Sequence, residues 1–145
     1  MKIALLNLPF DNNYGGNLQR YALIKVLQGM GHEVEHINLQ CHYSLPWYKY
    51  PYSIPKRMIK KYLLGQKDVD IWMEYHKNNL RKVIDANALK FYKEYIPHTQ
   101  EVENIKQIKR LMELNCYDAV IVGSDQVWRK CMTYNIGCEN YFLKF

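Results

Sequence analysis

The pattern of apolar and polar positions in the first forty residues predicts a strand, a helix and a second strand. Residues 3–6 form a short apolar run of the kind that is buried on both faces of a parallel sheet. From Asn17 to Met30, apolar residues surround most of a helical circumference, so this helix is expected to lie against the sheet. Gly31 is a candidate C-cap, and residues 33–39 alternate as a second strand.

The turn between the first strand and the helix is a candidate binding site. Residues 11–13 are turn-forming Asp and Asn, and Gly15-Gly16 would admit a backbone path or a close approach that a Cβ would block. In a βαβ unit this turn lies at the carboxyl end of the strand, where open α/β sheets bind ligands, and a helix start favours an anion. A Gly-Gly pair before a helix also occurs for tight packing alone, and the spacing is not GxGxxG, so no dinucleotide fingerprint is supported.

Residues 41–66 are expected to be an aromatic and basic insertion. Pro46, Pro51 and Pro55 predict a loop instead of a continuous helix, and the aromatic residues among them suit a lid over a sugar, a membrane or partner contact, or simple packing onto the domain. Residues 55–65 predict a short amphipathic helix, whose basic face would be solvated or would rest on an anionic membrane. Further helices are predicted over 68–95, with a break near 85–87, and over 103–114.

A second polar turn follows the apolar run of residues 119–122. If this run is a strand parallel to the first, Ser124, Asp125 and Gln126 face the glycine turn across a crevice. Asp125 would hydrogen-bond a sugar hydroxyl, or act as its base if burial raises the carboxyl pKa. Ser124 has neither a GxSxG context nor a histidine placed to activate it, and Ser-Asp after a strand is also a common N-cap.

Composition narrows the class of protein. The chain has 145 residues, 48% of them hydrophobic, enough for one α/β domain with a core, and thirteen tyrosines that suit either sugar binding or core packing. The net charge of +6 comes without a nucleic-acid-binding motif, so nucleic acid is not an expected partner.

The four cysteines lack CxxC spacing, so neither a metal nor another cofactor is expected. The absence of a signal peptide and of a membrane-spanning run predicts a cytoplasmic protein, with peripheral membrane contact left open.

The two polar turns resemble the motifs of the polysaccharide pyruvyl transferases. Residues 12–23, NNYGGNLQRYAL, are similar to the family's NNYGxxLQxYAL opening, and residues 117–128, YDAVIVGSDQVW, to its YDxxIVGSDQVW segment. Residues 95–99, YIPHT, and 140–143, NYFL, are similar to elements that accompany the second motif. Two long motifs in the right order make the resemblance specific.

The sequence departs from the family pattern near its end. Arg129-Lys130 stand where the family usually has Asn-Pro, and Lys144 replaces a usual acidic residue. The resemblance covers the amino-terminal half of a family whose members resemble glycosyltransferase-B-like enzymes. It therefore implies that residues 1–145 are a single Rossmann-like domain, a parallel sheet flanked by helices, truncated before a second domain.

The implied reaction is transfer of a pyruvyl unit from phosphoenolpyruvate to two hydroxyls of a sugar, giving a ketal and phosphate during bacterial exopolysaccharide or capsule synthesis. The basic residues that bind phosphoenolpyruvate are expected in the missing half. This chain would therefore be the acceptor-side half and inactive alone. A catalytically silent module that binds a glycan or a partner chain is the alternative, and an unrelated nucleotide-binding α/β enzyme is a third reading. We take Asp125 as the candidate catalytic residue, and as substrate-binding candidates Asn13, Tyr14, Gly15, Gly16, Gln19, Ser124 and Gln126.

Overall fold

The computed structural model describes residues 1–11, 13–40, 44–123, 125–133 and 136–144, and for Asp125 it describes the backbone only. The chain divides into two compact units. One unit comprises residues 1–41 and 85–145 and contains a β-sheet, whereas the other comprises residues 42–84 and is helical.

The first unit is built on a three-stranded parallel sheet with the order β2-β1-β3. The strands are β1 (Lys2–Leu6), β2 (Glu33–His36) and β3 (Ala119–Val122). Because both β2 and β3 pair with β1 in parallel, the carboxyl ends of all three strands lie at one edge of the sheet. The predicted α/β, Rossmann-like fold is therefore confirmed.

Helices cover both faces of this sheet. The unit contains α1 (Tyr14–Gly29), α4 (Ala86–Tyr95) and α5 (Ile105–Asn115). Successive residues of β1 point to opposite faces, so Leu5 packs in one core with Ile24 of α1 and Tyr92 of α4, whereas Leu6 packs in the other with Ile108 of α5. The apolar run that predicted a doubly covered strand thus lies between two buried cores.

The second strand is shorter than predicted. The β1–β2 ladder ends at His36, although Ile37 still donates its N–H to the Leu5 carbonyl at 2.9 Å. The chain then changes partner, because single bridges join His36 to His98 and Leu39 to Val102. Ile37 and Leu39 remain fully buried, so the alternating pattern reported their burial correctly but not their strand pairing.

The helices of the second unit begin at other residues than predicted. A 3₁₀ turn (Trp47–Lys49) leads into α2 (Tyr50–Met58), which continues as a π-helical turn (Ile59–Leu63), and α3 (Met73–Ile84) follows. The helix predicted over 55–65 is therefore present as the second part of this segment, whereas the loop predicted up to Pro55 is wrong from Tyr50 onward. Pro51 lies in the first turn of α2, where an N–H would have no helical partner, and Pro55 removes only one internal hydrogen bond.

The predicted break in the long helical region is present. The segment forms two helices, α3 and α4, separated at Asp85. Within the second unit, Arg57 holds α2 against the chain ahead of and within α3, since its guanidinium donates to both Glu74 carboxylate oxygens at 2.7 and 2.5 Å and to the Ile71 carbonyl at 3.1 Å. No helix among the described residues is both long enough and apolar enough to cross a bilayer.

Gly123 offers a test of how tightly the end of β3 packs. A Cβ at this position would lie 3.2 Å from both the Asn7 amide nitrogen and a Leu5 methyl carbon. We expect Gly123→Ala to lower the free energy of unfolding by about 1–3 kcal/mol through overpacking, as measured by urea denaturation. The control is Gly29→Ala at the end of α1, where a Cβ meets nothing within 4 Å and helix propensity predicts a gain of up to about 1 kcal/mol. Equal stability of the two variants would contradict the close packing.

Candidate functional site

A cavity of about 260 Å³ lies at the carboxyl edge of the sheet in the first unit. Its wall is formed by the segment that leaves β1, by the first turns of α1 and by the 3₁₀ turn (Asp125–Trp128) that follows β3. Seven of the eleven lining residues have polar side chains, and five of those seven are amides. The lining residues are Asn7, Leu8, Pro9, Asp11, Asn13, Gly15, Gly16, Asn17, Gln19, Arg20 and Gln126.

The start of α1 is fixed by hydrogen bonds from the polar turn before it. Helix α1 begins at Tyr14, three residues earlier than predicted, because Asn13 is its N-cap and accepts the Gly16 N–H at 3.2 Å. The Asp11 carboxylate accepts the Asn13 N–H at 3.0 Å, and the Asn17 amide donates to the Asp11 carbonyl at 3.0 Å. The turn is therefore held in one conformation by the residues that line the cavity.

These contacts weaken the expected preference for an anion. One of the free N–H groups at the helix start, that of Gly16, is already used by Asn13. The Asp11 carboxylate also lines the cavity, and its negative charge opposes a second one nearby. Neutral polar groups therefore suit this site better than a bare anion does.

The backbone conformation at the start of α1 does not require glycine at positions 15 and 16. Neither Gly15 nor Gly16 has a positive φ, and a Cβ would meet Asn13 at 3.4 and 3.5 Å, which are ordinary contacts. The prediction that the local chain path needs these glycines is therefore wrong. Both residues line the cavity, so the space that their missing side chains leave belongs to the site.

Arg20 is a site residue that the sequence reasoning missed. It is only 5% exposed, and its guanidinium donates to the Asn17 amide oxygen at 2.9 Å and to the Leu8 carbonyl at 3.1 Å. Its Nε is buried without a hydrogen-bond partner. Burial lowers the pKa of Arg20 from its ordinary value. Its position one turn after Gly16, in the helix that follows the glycine turn, was the sequence signal that could have identified it.

Asn7 is the second missed residue. It follows β1 directly and is 3% exposed, and its amide oxygen has no hydrogen-bond partner. An unpaired buried amide oxygen costs free energy, and Asn7 bears this cost in the wall of the cavity. The sequence signal was its place as the first polar residue after a buried strand.

The structure brings five of the predicted site residues to one cavity. Asn13, Gly15, Gly16 and Gln19 line it from α1 and its cap, and Gln126 lines it from the turn after β3. Tyr14 is 70% exposed and does not line the cavity. Ser124 and the side chain of Asp125 lie outside the described residues, although the backbone of Asp125 begins the 3₁₀ turn that carries Gln126.

A buried cluster lies behind the cavity wall. The Arg20 guanidinium carbon is 6.0 Å from the ring centroid of Phe10 and 5.9 Å from that of Tyr92. The Tyr92 hydroxyl is hydrogen-bonded to His36 Nδ1 at 2.6 Å, and His36 is fully buried with an unpartnered Nε2. Burial, with the nearby charges of Arg20 and His98, holds the pKa of His36 well below its usual range.

Chemically, the cavity can recognise hydroxyl groups. Side-chain amides donate and accept hydrogen bonds, as hydroxyls do, and a carboxylate accepts from them. The described residues contain no group of three His, Cys, Asp or Glu side chains that could hold a metal ion. The features present are thus those of a small polar site at the ligand-binding edge of an α/β sheet.

Comparison with known proteins assigns the chain to a family. The family model described as polysaccharide pyruvyl transferase matches residues 13–145. The chain therefore belongs to the polysaccharide pyruvyl transferase family, as its two motifs predicted. Searches of curated proteins and of solved structures gave no significant match. The matched range includes every cavity residue from Asn13 onward, whereas Asn7 and Asp11 precede it.

The buried histidine predicts a pH dependence of stability. Because the pKa of His36 is lowered on folding, the unfolded chain binds a proton below pH 6.5 that the folded chain does not. The free energy of unfolding should therefore fall as the pH decreases from 7.5 to 5.5, and this one group contributes on the order of 1 kcal/mol to the loss. In His36→Asn that contribution should be absent.

Urea denaturation of both proteins at the two pH values measures this difference. Only the change with pH is compared, so any constant loss of stability caused by the substitution cancels. Parallel pH dependence in the wild type and in His36→Asn would show that His36 takes up its proton in the folded state.

Proposed function

We propose that this protein takes part in transfer of a pyruvyl group from phosphoenolpyruvate to a sugar of an exopolysaccharide or capsule, and that this chain forms the acceptor side of the site. Membership of the polysaccharide pyruvyl transferase family supports the reaction class. The observation that carries the acceptor assignment is the amide-rich cavity between α1 and the turn after β3.

The size and lining of the cavity favour one small, hydroxyl-bearing ligand. Its volume of about 260 Å³ is just below the range of typical ligand pockets, about 300–1,000 Å³, so it suits a single sugar ring better than a larger ligand. Gln19 lines the cavity from α1 and Gln126 from the turn after β3, and an amide side chain can donate or accept a hydrogen bond.

The charge balance argues against the donor in this cavity. Phosphoenolpyruvate carries a carboxylate and a phosphate, which need several cationic or N–H partners. Arg20 is the one cation among the described lining residues, and two of its nitrogens are already bonded to Asn17 and Leu8. With the Asp11 carboxylate beside it, the cavity is better suited to a neutral acceptor than to this anion.

The reaction sets the role that an acceptor side must perform. A proton is added to the methylene carbon of phosphoenolpyruvate, a sugar hydroxyl oxygen bonds to the neighbouring carbon, and phosphate departs with the broken C–O bond. A second hydroxyl then bonds to that carbon to close the ketal, and the two hydroxyl protons are released. We propose that Asp125, which begins the turn after β3, is the base for an attacking hydroxyl.

The second candidate is a catalytically silent module that binds a glycan without transferring anything to it. The cavity supports binding in both cases, and the two candidates differ in whether turnover accompanies it. An assay of ketal formation separates them, because a silent module binds the sugar but releases no phosphate from phosphoenolpyruvate.

Glycoside binding tests the acceptor cavity directly. Saturation-transfer NMR with methyl glycosides of neutral hexoses should show binding that Gly16→Ala weakens by tenfold or more, because the added methyl occupies the cavity wall. The same variant should fold normally, since its Cβ makes only ordinary contacts. Gly29→Ala is the matched control and should bind as the wild type does. If phosphoenolpyruvate binds here and the glycosides do not, the acceptor assignment is wrong.

The role of Asp125 is tested by a conservative change. In a preparation that forms the ketal, Asp125→Asn should lower kcat by about 10²–10⁴-fold, the range expected for loss of a general base. The melting temperature and glycoside binding should change little. Turnover at the wild-type rate would show that Asp125 is not the base. A loss of turnover that is explained by loss of the fold would likewise remove Asp125 from the mechanism.

A further inference from the structure

The second unit presents an exposed surface of aromatic, aliphatic and basic side chains that the cavity does not use. We name it the 47–64 surface, after the 3₁₀ turn, α2 and the π-helical turn that carry it. Trp47 is 84% exposed, Leu63 80% and Tyr62 73%. The other large exposed side chains on it are Tyr48, Tyr52, Met58, Ile59 and Leu64.

The exposed side of α2 combines apolar side chains with lysines. Tyr50, Ile54 and Arg57 are half-buried on one side of the helix, and no described side chain between residues 44 and 84 is fully buried. On the exposed side a shallow groove of about 390 Å³ is lined almost wholly by apolar atoms and by lysine side chains. Its residues are Pro51, Tyr52, Pro55, Lys56, Ile59, Lys60 and Leu64.

The charge on this surface has a single sign. Residues 44–67 contain six basic residues and no acidic one. Arg57 is neutralised by Glu74, whereas no lysine of this segment forms an ion pair within the described part of the chain. Lys49 and Lys56 lie instead over the rings of Tyr48 and Tyr52, at 5.9 and 5.7 Å from the ring centroids. The positive charge is therefore available to an external partner.

We infer that the 47–64 surface binds an anionic lipid bilayer. Tryptophan and tyrosine favour the depth of the lipid headgroups, and long lysine side chains keep their ammonium groups in water while their stems contact apolar material. Apolar burial and attraction to anionic lipid act together on such a helix, which then lies in the plane of the interface.

Two other occupants fit the same residues less well. A second copy of the chain would bring two lysine-rich surfaces together, and their like charges repel. A nucleic acid would use the lysines but would leave the aliphatic side chains Ile59, Leu63 and Leu64 in water. Of these three occupants, only an anionic bilayer uses both the charge and the apolar area.

Vesicle sedimentation of the full 145-residue chain tests this inference. We expect binding to phosphatidylcholine vesicles that contain one third phosphatidylglycerol, and little binding to phosphatidylcholine alone. Each lysine near an anionic surface contributes about fivefold to partitioning, so Lys56→Gln with Lys60→Gln should lower it about 25-fold. The matched control, Lys106→Gln with Lys109→Gln on α5, removes the same charge from exposed positions and should leave binding within a few-fold.

The apolar contribution is tested separately. Ile59→Ser with Leu63→Ser retains every charge and should also weaken vesicle binding tenfold or more, whereas it should not change binding to a single-stranded oligonucleotide. A blue shift of tryptophan fluorescence on anionic vesicles should disappear in Trp47→Phe, because Trp47 would enter the interface.

Three results would overturn the inference. If the α5 control loses as much vesicle binding as Lys56→Gln with Lys60→Gln, binding depends only on the net charge of the chain. Oligonucleotide binding that exceeds vesicle binding and ignores Ile59→Ser with Leu63→Ser would identify a nucleic-acid surface. Absence of vesicle binding, with a dimer that these same serine substitutions dissociate, would identify a contact between copies of the chain.

Discussion

The parallel pairing of β1 with a strand on each side is the constraint on which the rest of the first unit depends. Burial of β1 on both faces fixes α1 and α4 on one side of the sheet and α5 on the other. The same parallel alignment brings the chain after β1 and the chain after β3 to one edge. Two motifs more than a hundred residues apart in sequence thereby meet at a single cavity.

Much of this architecture follows from pattern. Short apolar runs identified β1 and β3, and their polar ends identified one edge of the sheet as the candidate site. The pattern could not show which polar side chains are buried. Arg20 is buried against Leu8, Phe10 and Tyr92, and Asn7 lies beside Gly123. These partners come from other elements, and no local periodicity reports such contacts. For the same reason the strand prediction extended past His36, since buried alternation looks alike whether the partner is β1 or residues 98–102.

In the second unit, the error of the sequence prediction concerned local structure and not contacts between distant residues. Its prolines suggested a loop, yet one lies where a helix tolerates proline and the other removes one internal hydrogen bond. Its helices carry no fully buried side chain, so the segment gains little from a core of its own. Its lysines and aromatic residues therefore favour contact with a surface outside the chain.

Arg20 joins the cavity to the core through the segment that follows β1. Its guanidinium holds the Leu8 carbonyl and the Asn17 amide while resting against the rings of Phe10 and Tyr92. The core around Tyr92 and the position of this segment at the cavity wall are thus connected through one side chain. Folding alone therefore preorganises the site, and a ligand that enters it need not bear the entropic cost of ordering the loop.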